Sequence, residues 1–226
     1  MNSVMMILLT FILTVSSYVM SIQLAKKYRY PITTPIFLSS ILIIAIFLIC
    51  DISYEEYEIT NRFISYMLGP ATVALAVPIY KNRTLFIRYF RPAIVGGIIG
   101  SLVTISSAVF FVQILDLGRE VKRSIILKSI TTPVAVEVAD VIEANRTLAA
   151  TFVIVTGMIG AMIGPWLLTK TKVNHPVARG LSLGVISHGI GTSEAIKEGE
   201  LEGAVAGSAM GVTSFTLSFV LPLFFL

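Results

Sequence analysis

Apolar stretches about as long as a membrane-spanning helix recur along the whole chain, and the polar segments between them are short. The first such stretch covers residues 4–24. A helix needs about 20 mostly apolar residues to cross the hydrocarbon core of a bilayer. Charged residues make up only 13% of the chain, whereas they make up about 25% of a soluble domain. We therefore expect an all-α polytopic membrane protein with about seven spans.

The first apolar stretch is predicted to be a retained helix. It is longer than the apolar core of a signal peptide, which has about 7–15 residues, and no basic segment precedes it. The single Cys50 excludes a disulfide within the chain and is interpreted as a packing residue.

Charge alternates in sign between successive loops. The loops around Lys26 and Lys81 are basic, and the loop between them, residues 51–58, is acidic. Because basic loops stay in the cytoplasm, this pattern predicts an N-terminus outside the cell. The net charge of +4 lies in these short loops without interleaved aromatic residues, so nucleic acid is not an expected partner.

The same rule orients the rest of the chain. The basic loop from Lys170 to Arg179 is predicted in the cytoplasm, and the acidic turn from Glu198 to Glu202 is predicted outside. Residues 128–142 are too short and too polar to cross the bilayer, so we expect them to enter from outside and return. The C-terminus is then cytoplasmic. The predicted spans are 4–24, 31–50, 63–80, 92–115, 147–169, a broken span at 177–196 that runs outward, and 204–225.

Three short patterns occur twice in the same order, and in this topology the two members of each pair start from opposite faces. Such inverted repeats bring broken helices together at the bilayer midplane around a substrate. We therefore predict one membrane domain, 1–226, with a first helix and loop (1–30) and two repeats (31–115 and 128–226). The pairs are 32–35 with 130–133, 69–72 with 189–192, and 93–100 with 204–211.

The first predicted break is the run Gly69, Pro70, Ala71 and Thr72. Proline removes a main-chain N–H donor, and a helix that begins near Thr72 would present unpaired N–H groups to an anion. An ordinary proline kink packed against neighbouring helices is the alternative interpretation.

The second predicted break lies in an apolar stretch that contains two glycines, two hydroxyls, an imidazole and a carboxyl group. Polar groups at membrane depth line a cavity or a protein interior. His188 could carry a proton or donate to an anion, or it could be a structural histidine. Glu194 is either a buried proton site or the start of the acidic turn. The candidate residues here are Ser187, His188, Gly189, Gly191, Thr192 and Glu194.

The segment predicted to enter and return contains further candidates. Thr131 and Thr132 could donate to a carboxylate, or they could only cap their own helix. Glu137 and Asp140 share a helical face, where they could bind a coupling proton or lie on a solvated surface. The glycines of Gly96-x-x-x-Gly100 and of Gly207-x-x-x-Gly211 are interpreted as helix-packing positions rather than as the lining of a pore.

The segments 68–81, 128–133, 187–192 and 198–204 resemble the LrgB/CidB family. The resemblance covers nearly the whole chain and implies a bacterial inner-membrane protein with a small holin-like partner of the LrgA/CidA type. The family has been described as holin/antiholin-associated regulators of murein hydrolase export and autolysis, and as carriers of small monocarboxylates. Similar proteins carry pyruvate in bacteria and glycolate or glycerate in plant plastids.

We interpret the chain as a secondary transporter of a small monocarboxylate such as pyruvate or glycolate, held by Gly69, Pro70, Ala71, Thr72, Thr131, Thr132, Ser187, His188, Gly189, Gly191 and Thr192. His188, Glu194, Glu137 and Asp140 are the proton-coupling candidates. The alternative is a holin/antiholin-like regulator of autolysis that forms a homo-oligomer, a dimer, and works with the LrgA/CidA-type partner. No nucleophile–base pair, nucleotide loop or metal-ligand cluster is visible, so neither an enzyme nor a metal or other cofactor is expected.

Overall fold

The computed structural model describes the backbone of residues 3–28, 31–74, 76–81 and 83–223, and these residues are helical apart from turns and short connections. Two compact units, 1–71 and 72–226, are described separately below. The elements are α1 (Ser3–Lys27), a 3-10 turn (Pro31–Thr33), α2 (Pro35–Ile49), α3 (Tyr54–Tyr66), α4 (Leu68–Ala74), α5 (Ala76–Lys81), α6 (Arg83–Ile114), α7 (Arg119–Ile125), a second 3-10 turn (Ile126–Ser129), α8 (Thr132–Val141), α9 (Arg146–Lys170), α10 (Pro176–Glu198) and α11 (Glu200–Leu223).

Four described helices are long and apolar enough to cross a bilayer: Met5–Lys27, Ile87–Ile114, Arg146–Lys170 and Glu200–Leu223. The architecture is that of an α-helical membrane protein, but the predicted number of seven spans is not confirmed. The predicted span 63–80 is divided into the end of α3, α4 and α5.

The first unit is built on α1, which packs against α2 and α3. A buried hydrogen bond of 2.8 Å joins the hydroxyls of Thr10 and Thr60 and fixes α3 against α1. The predicted acidic loop is in fact the beginning of α3. Ser53 and Glu56 form a capping box there, which satisfies main-chain N–H groups at the helix start.

In the second unit, residues 119–145 fold back on themselves as a helical hairpin, here called the first hairpin. Its base is closed by an ion pair of 2.8 Å between Arg123 and Glu143. Beside it, the Asn145 main-chain N–H donates to Ser124 Oγ, and the Asn145 side chain donates to Glu120. The segment that turns back is therefore 119–145, and the predicted segment 128–142 forms only its tip and returning arm. That this segment dips into the membrane stays a prediction.

Residues 176–198 form a second hairpin, and the prediction of a single crossing at 177–196 is wrong. Arg179 and Glu198 are 19 residues apart in sequence, so a straight helix would separate them by about 28 Å. Instead Arg179 Nη2 lies 2.6 Å from Glu198 Oε1. The chain reverses at His188, whose φ of 39° and ψ of −126° interrupt the helix.

Helix α9 connects the two hairpins from base to base, because it starts at Asn145 and ends before Arg179. Arg179 also donates to the carbonyl of Pro165 near the end of α9. The two hairpins therefore enter the unit from opposite ends, and their tips point toward each other.

Helix α11 begins at the base of the second hairpin and ends at the first. Its Leu217 and Leu221 share a buried cluster with Ile126, Leu127 and Ile142 of the first hairpin. The acidic turn before α11 therefore lies at the same end of the unit as Arg179. Its predicted position, on the membrane face opposite the basic loop, is wrong because the segment between them folds back.

Small residues allow α6 to approach the second hairpin closely. A methyl group on Gly100 would lie 2.8 Å from Val185 Cγ1, and one on Gly96 would overlap Leu181. The interpretation of Gly96-x-x-x-Gly100 as a packing surface is thereby supported.

Candidate functional site

The tips of the two hairpins meet beside His188. The second 3-10 turn, at the tip of the first hairpin, contacts both α9 and α10. The imidazole of His188 faces the main-chain carbonyls of Lys128 and Val153, and the Lys128 ammonium is close enough to interact with it electrostatically. The arm from Arg179 to His188 is about 14 Å long, which is about half the thickness of a hydrocarbon core. This junction is the candidate site.

The backbone at His188 adopts a conformation that favours glycine. Its φ of 39° and ψ of −126° are close to those of the first central residue of a type II′ turn. A side chain with a Cβ is strained at positive φ, and such strain is concentrated at functional sites. Gly189 follows directly and completes the reversal. A histidine at this position therefore suggests a role for its imidazole.

Three buried polar atoms at the two tips have no hydrogen-bond partner within the described part of the chain: Ser129 Oγ on the first hairpin, and Ser187 Oγ and His188 Nε2 on the second. Leaving a buried polar group unpaired costs about 1–3 kcal/mol. Unpaired groups concentrated at one junction call for a polar partner, which a bound water or a polar ligand can supply.

Helix α9 provides the surface on which Ser187 and His188 lie. A methyl group on Gly157 would lie 2.6 Å from His188 Cε1, and one on Gly160 would overlap Ser187 Oγ. The two glycines therefore let the tip of the second hairpin approach the α9 backbone.

The predicted ligand-binding threonines are positioned by main-chain hydrogen bonds. Thr192 is buried, and its hydroxyl donates 2.8 Å to the His188 carbonyl, so this donor is occupied within the hairpin. The main-chain N–H of Thr131 donates 3.2 Å to Ser214 Oγ on α11. Thr131 precedes α8 without a side-chain cap hydrogen bond, and Thr132 begins that helix partly buried. Ligand binding by these threonines stays a prediction.

The glycines at the second tip have distinct environments. A methyl group on Gly191 would collide with the main chain of Leu183, so the two arms of the hairpin are in close contact there. Gly189 lies beside Met210 of α11, with 3.9 Å from the sulfur to a methyl placed on it. Packing therefore requires a glycine at position 191, whereas a methyl group at position 189 would make only an ordinary contact.

The acidic proton-coupling candidates have basic partners. Arg146 lies 3.6 Å from Glu137 and 3.3 Å from Asp140, and all three side chains are exposed. Glu194 forms an ion pair of 2.6 Å with Lys197. The contacts of Glu137 and Asp140 are those of surface ion pairs, whereas the Glu194 side chain is only 18% exposed. Proton coupling at these three carboxyl groups stays a prediction.

The first predicted break is not a break in the described backbone. Gly69 and Pro70 lie inside α4, exposed, and a methyl on Gly69 would meet open space. The side chains of Ala71 and Thr72 lie outside the described residues. A ligand-binding role for these four residues stays a prediction.

Lys128 is the residue of the site that sequence reasoning missed. A lysine inside a segment predicted to dip into the membrane is itself a signal, because a charged residue at that depth is by default a candidate functional residue. No group of three or more potential metal ligands occurs among the described residues.

The chain matches the model of the LrgB-like family over residues 14–226. It is 32% identical to the Bacillus subtilis protein YxaC, over 96% of this chain and 94% of that protein. It is 28% identical to a holin-like protein CidB of Staphylococcus epidermidis, over 100% and 99% of the two chains. An antiholin-like protein LrgB of Bacillus cereus is 29% identical over 84% of this chain and 83% of its own.

No solved structure matches the chain. The family match nevertheless extends over both hairpins and all four long apolar helices, apart from the start of α1. The segments that carried the resemblance at sequence level, including the two hairpin tips, all lie within it. The chain therefore belongs to the LrgB-like family.

Proposed function

We propose that the protein is a secondary transporter of a small organic monocarboxylate, such as pyruvate or glycolate. The observation that carries the proposal is the group of buried, unpartnered polar atoms where the two hairpin tips meet, Ser129 Oγ, Ser187 Oγ and His188 Nε2. Interrupted helices that approach the bilayer midplane from opposite faces are the usual substrate sites of secondary transporters. A carboxylate would accept hydrogen bonds from the hydroxyls at this junction.

His188 is the proposed proton carrier. A neutral imidazole has one nitrogen that donates and one that accepts. When His188 donates to a main-chain carbonyl through Nδ1, Nε2 has no proton and repels a carboxylate. Uptake of a proton converts Nε2 into a donor, so proton and carboxylate bind together. The proposed transport is therefore a symport that accelerates as the pH on the donor side falls.

The proposed orientation follows the basic residues at one end of the second unit. Lys170, Lys172 and Arg179 lie at the base of the second hairpin, which places that base in the cytoplasm. The first hairpin then enters from outside. Helix α11 runs from the cytoplasm outward, which reverses the predicted cytoplasmic C-terminus.

Uptake of radiolabelled pyruvate into proteoliposomes tests the proposal. We expect saturable uptake that increases when the outside is acidified and that unlabelled glycolate reduces by competition. The His188→Gln variant, which keeps a hydrogen-bonding side chain but cannot take up the proton, is expected to lose the pH dependence. Absence of saturable uptake by the unaltered protein, in vesicles where its insertion is verified, contradicts the proposal.

A second candidate function is regulation of autolysis as a holin-like or antiholin-like protein. The names of two relatives, holin-like protein CidB and antiholin-like protein LrgB, support this function more directly than they support transport. In this alternative the chain forms an oligomer, and a small LrgA/CidA-type membrane protein is its partner.

Dye release from the same vesicles distinguishes the two functions. A lytic pore releases dyes over a wide range of sizes, and pyruvate does not compete with that release. A carrier retains the dyes while it takes up pyruvate. Co-reconstitution with an LrgA/CidA-type protein then tests the partner, since the regulatory function predicts a change in dye release when both proteins are present.

A further inference from the structure

We propose that Lys128 provides the positive charge that binds the substrate carboxylate, and that it makes the site select carboxylates over neutral analogues. This inference rests on the proposed transport function and specifies which residue selects the substrate. The proposal follows from the position of Lys128 at the junction of the hairpin tips and from the absence of a carboxylate partner for it in the described part of the chain.

Lys128 is partly buried at the tip of the first hairpin, between the buried residues Leu127 and Ser129. Among the described residues, no carboxylate oxygen lies within 4.0 Å of its ammonium, and its Nζ makes no hydrogen bond. A cation in a poorly solvated position is costly unless a counter-charge accompanies it. Lys128 therefore lies at the junction without an acidic partner in the described part of the chain.

The carboxylates of both hairpins are already engaged elsewhere. On the first hairpin, Glu120 accepts from Asn145, Glu143 pairs with Arg123, and Glu137 and Asp140 pair with Arg146. On the second hairpin, Glu194 pairs with Lys197 and Glu198 with Arg179. All of these pairs are intrahairpin contacts or contacts at the bases, so no described carboxylate of either hairpin pairs with Lys128, and a ligand carboxylate would supply the counter-charge.

The neighbours of Lys128 are suited to the rest of a carboxylate. Its main-chain carbonyl faces the His188 imidazole, and the adjacent Ser129 Oγ is buried without a partner. The Lys128 ammonium would neutralise one carboxylate, while the hydroxyls and the protonated imidazole would donate hydrogen bonds to it. A neutral analogue would leave the Lys128 ammonium uncompensated in a low-dielectric site, so neutral analogues are expected to be excluded.

Pyruvate uptake by purified protein in proteoliposomes tests the role of Lys128. For Lys128→Gln we expect the KM for pyruvate to rise by about 30-fold or more, the effect of removing one partner of a buried charge pair. The maximal rate is expected to fall much less. Lys128→Arg keeps the charge and is expected to restore most of the affinity. Lys122→Gln, which removes a lysine from the same hairpin away from its tip, is the matched control and is expected to leave KM unchanged.

Competition experiments test the selectivity. Uptake by the unaltered protein is expected to be inhibited by unlabelled pyruvate and by glycolate, but not by the neutral amide of pyruvate. In Lys128→Gln the amide is expected to compete about as well as pyruvate. A Lys128→Gln protein with an unchanged KM and unchanged selectivity overturns this inference and leaves the transport function intact. Loss of saturable uptake in the unaltered protein overturns the transport function itself.

If Lys128→Gln is not obtained in folded form, the role of the Lys128 charge is tested by measuring pyruvate binding to the unaltered protein and to Lys128→Arg. Binding is then measured as the rise in melting temperature that pyruvate, at increasing concentrations, produces in detergent-solubilised protein. If pyruvate raises the melting temperature of the unaltered protein and of Lys128→Arg, and pyruvamide does not, the result supports carboxylate binding by the positive charge at position 128. An equal rise with pyruvamide overturns it.

Discussion

The two hairpins of the second unit have the same path but differ in how their bases are closed. Both bases use an arginine–glutamate pair. In the first hairpin the Arg123 side chain is 12% exposed and its partner Glu143 is 82% exposed. In the second, Arg179 and Glu198 are 13% and 20% exposed, and the arginine binds both carboxylate oxygens. The second base is therefore the more strongly closed of the two.

The tips of the two hairpins differ in backbone strain, and here the second hairpin is the less favourable of the two. The first tip ends in the 3-10 turn before Thr131, where ordinary extended backbone leads into a helix that has a proline in its first turn. The second tip reverses at His188 with a positive φ. The hairpin with the strained tip has the stronger base, as expected if the base contacts compensate the local strain. We infer that the second hairpin holds His188 in place and that the first supplies the charge that meets it.

The prediction with the largest expected effect concerns the side of the membrane on which each hairpin base lies. With Cys50 replaced by serine, cysteines introduced singly at Lys172 and Glu200 are expected to react with an impermeant maleimide from the same side of the membrane. A cysteine at Glu143 is expected to react only from the other side. The measurement is all-or-none labelling in oriented membrane vesicles. Labelling of positions 172 and 200 from opposite sides contradicts the hairpin at 176–198.

The sequence indicates part of the first hairpin and the break in the second, but not the full path of either. Residues 128–142 are short and polar, and neither property suits a crossing, but they form only the tip and one arm of the first hairpin. Residues 177–196 have the length of a span, so the sequence predicts a broken helix that crosses, whereas the structure reverses at the break. The ion pair that reveals the reversal joins residues 19 positions apart, and no local pattern in a sequence indicates such a contact.

Ser187 and His188 could be selected from the sequence because polar residues in an apolar stretch are conspicuous. The absence of hydrogen-bond partners for these side chains and the close approach of α9 depend on tertiary packing, so they could not be predicted from the sequence. Thr192 has the same polar character, but its hydroxyl is bonded to the His188 carbonyl. Local sequence does not distinguish a free hydroxyl from one that its own backbone occupies.

A second prediction separates the imidazole of His188 from its backbone conformation. His188→Gly and His188→Ala both remove the imidazole, and each is expected to reduce pyruvate uptake by about 30-fold or more. Glycine adopts the positive φ without strain, whereas alanine does not. The glycine variant is therefore expected to be more stable than the alanine variant by about 1 kcal/mol in thermal unfolding. Equal stability of the two variants would argue against strain at the tip.

A third prediction compares the two bases by matched substitutions. Arg179→Gln leaves Glu198 partly buried without its cation, and it also removes the donors to Val173 and Pro165. We expect a loss of about 3 kcal/mol in the free energy of unfolding. Arg123→Gln leaves Glu143 in water, and its effect is expected to be clearly smaller. Thermal unfolding in detergent measures the loss of stability in both variants. A larger effect of Arg123→Gln reverses the proposed order of the bases.

The smallest expected effect concerns the contact between α9 and the second tip. Gly157→Ala introduces a methyl group 2.6 Å from His188 Cε1, so the imidazole or the helix must move, at a cost of about 2 kcal/mol. Gly211→Ala on α11 is the matched control, because its methyl group meets open space and alanine has the higher helix propensity, worth up to about 1 kcal/mol. We therefore expect opposite signs from the two substitutions in thermal unfolding. Since displacement of His188 also disturbs its contact with Lys128, Gly157→Ala is further expected to raise the KM for pyruvate, whereas Gly211→Ala is not. Equal behaviour of the two alanine variants would show that the tip of the second hairpin tolerates displacement, and the close approach of α9 would then have no part in positioning the imidazole.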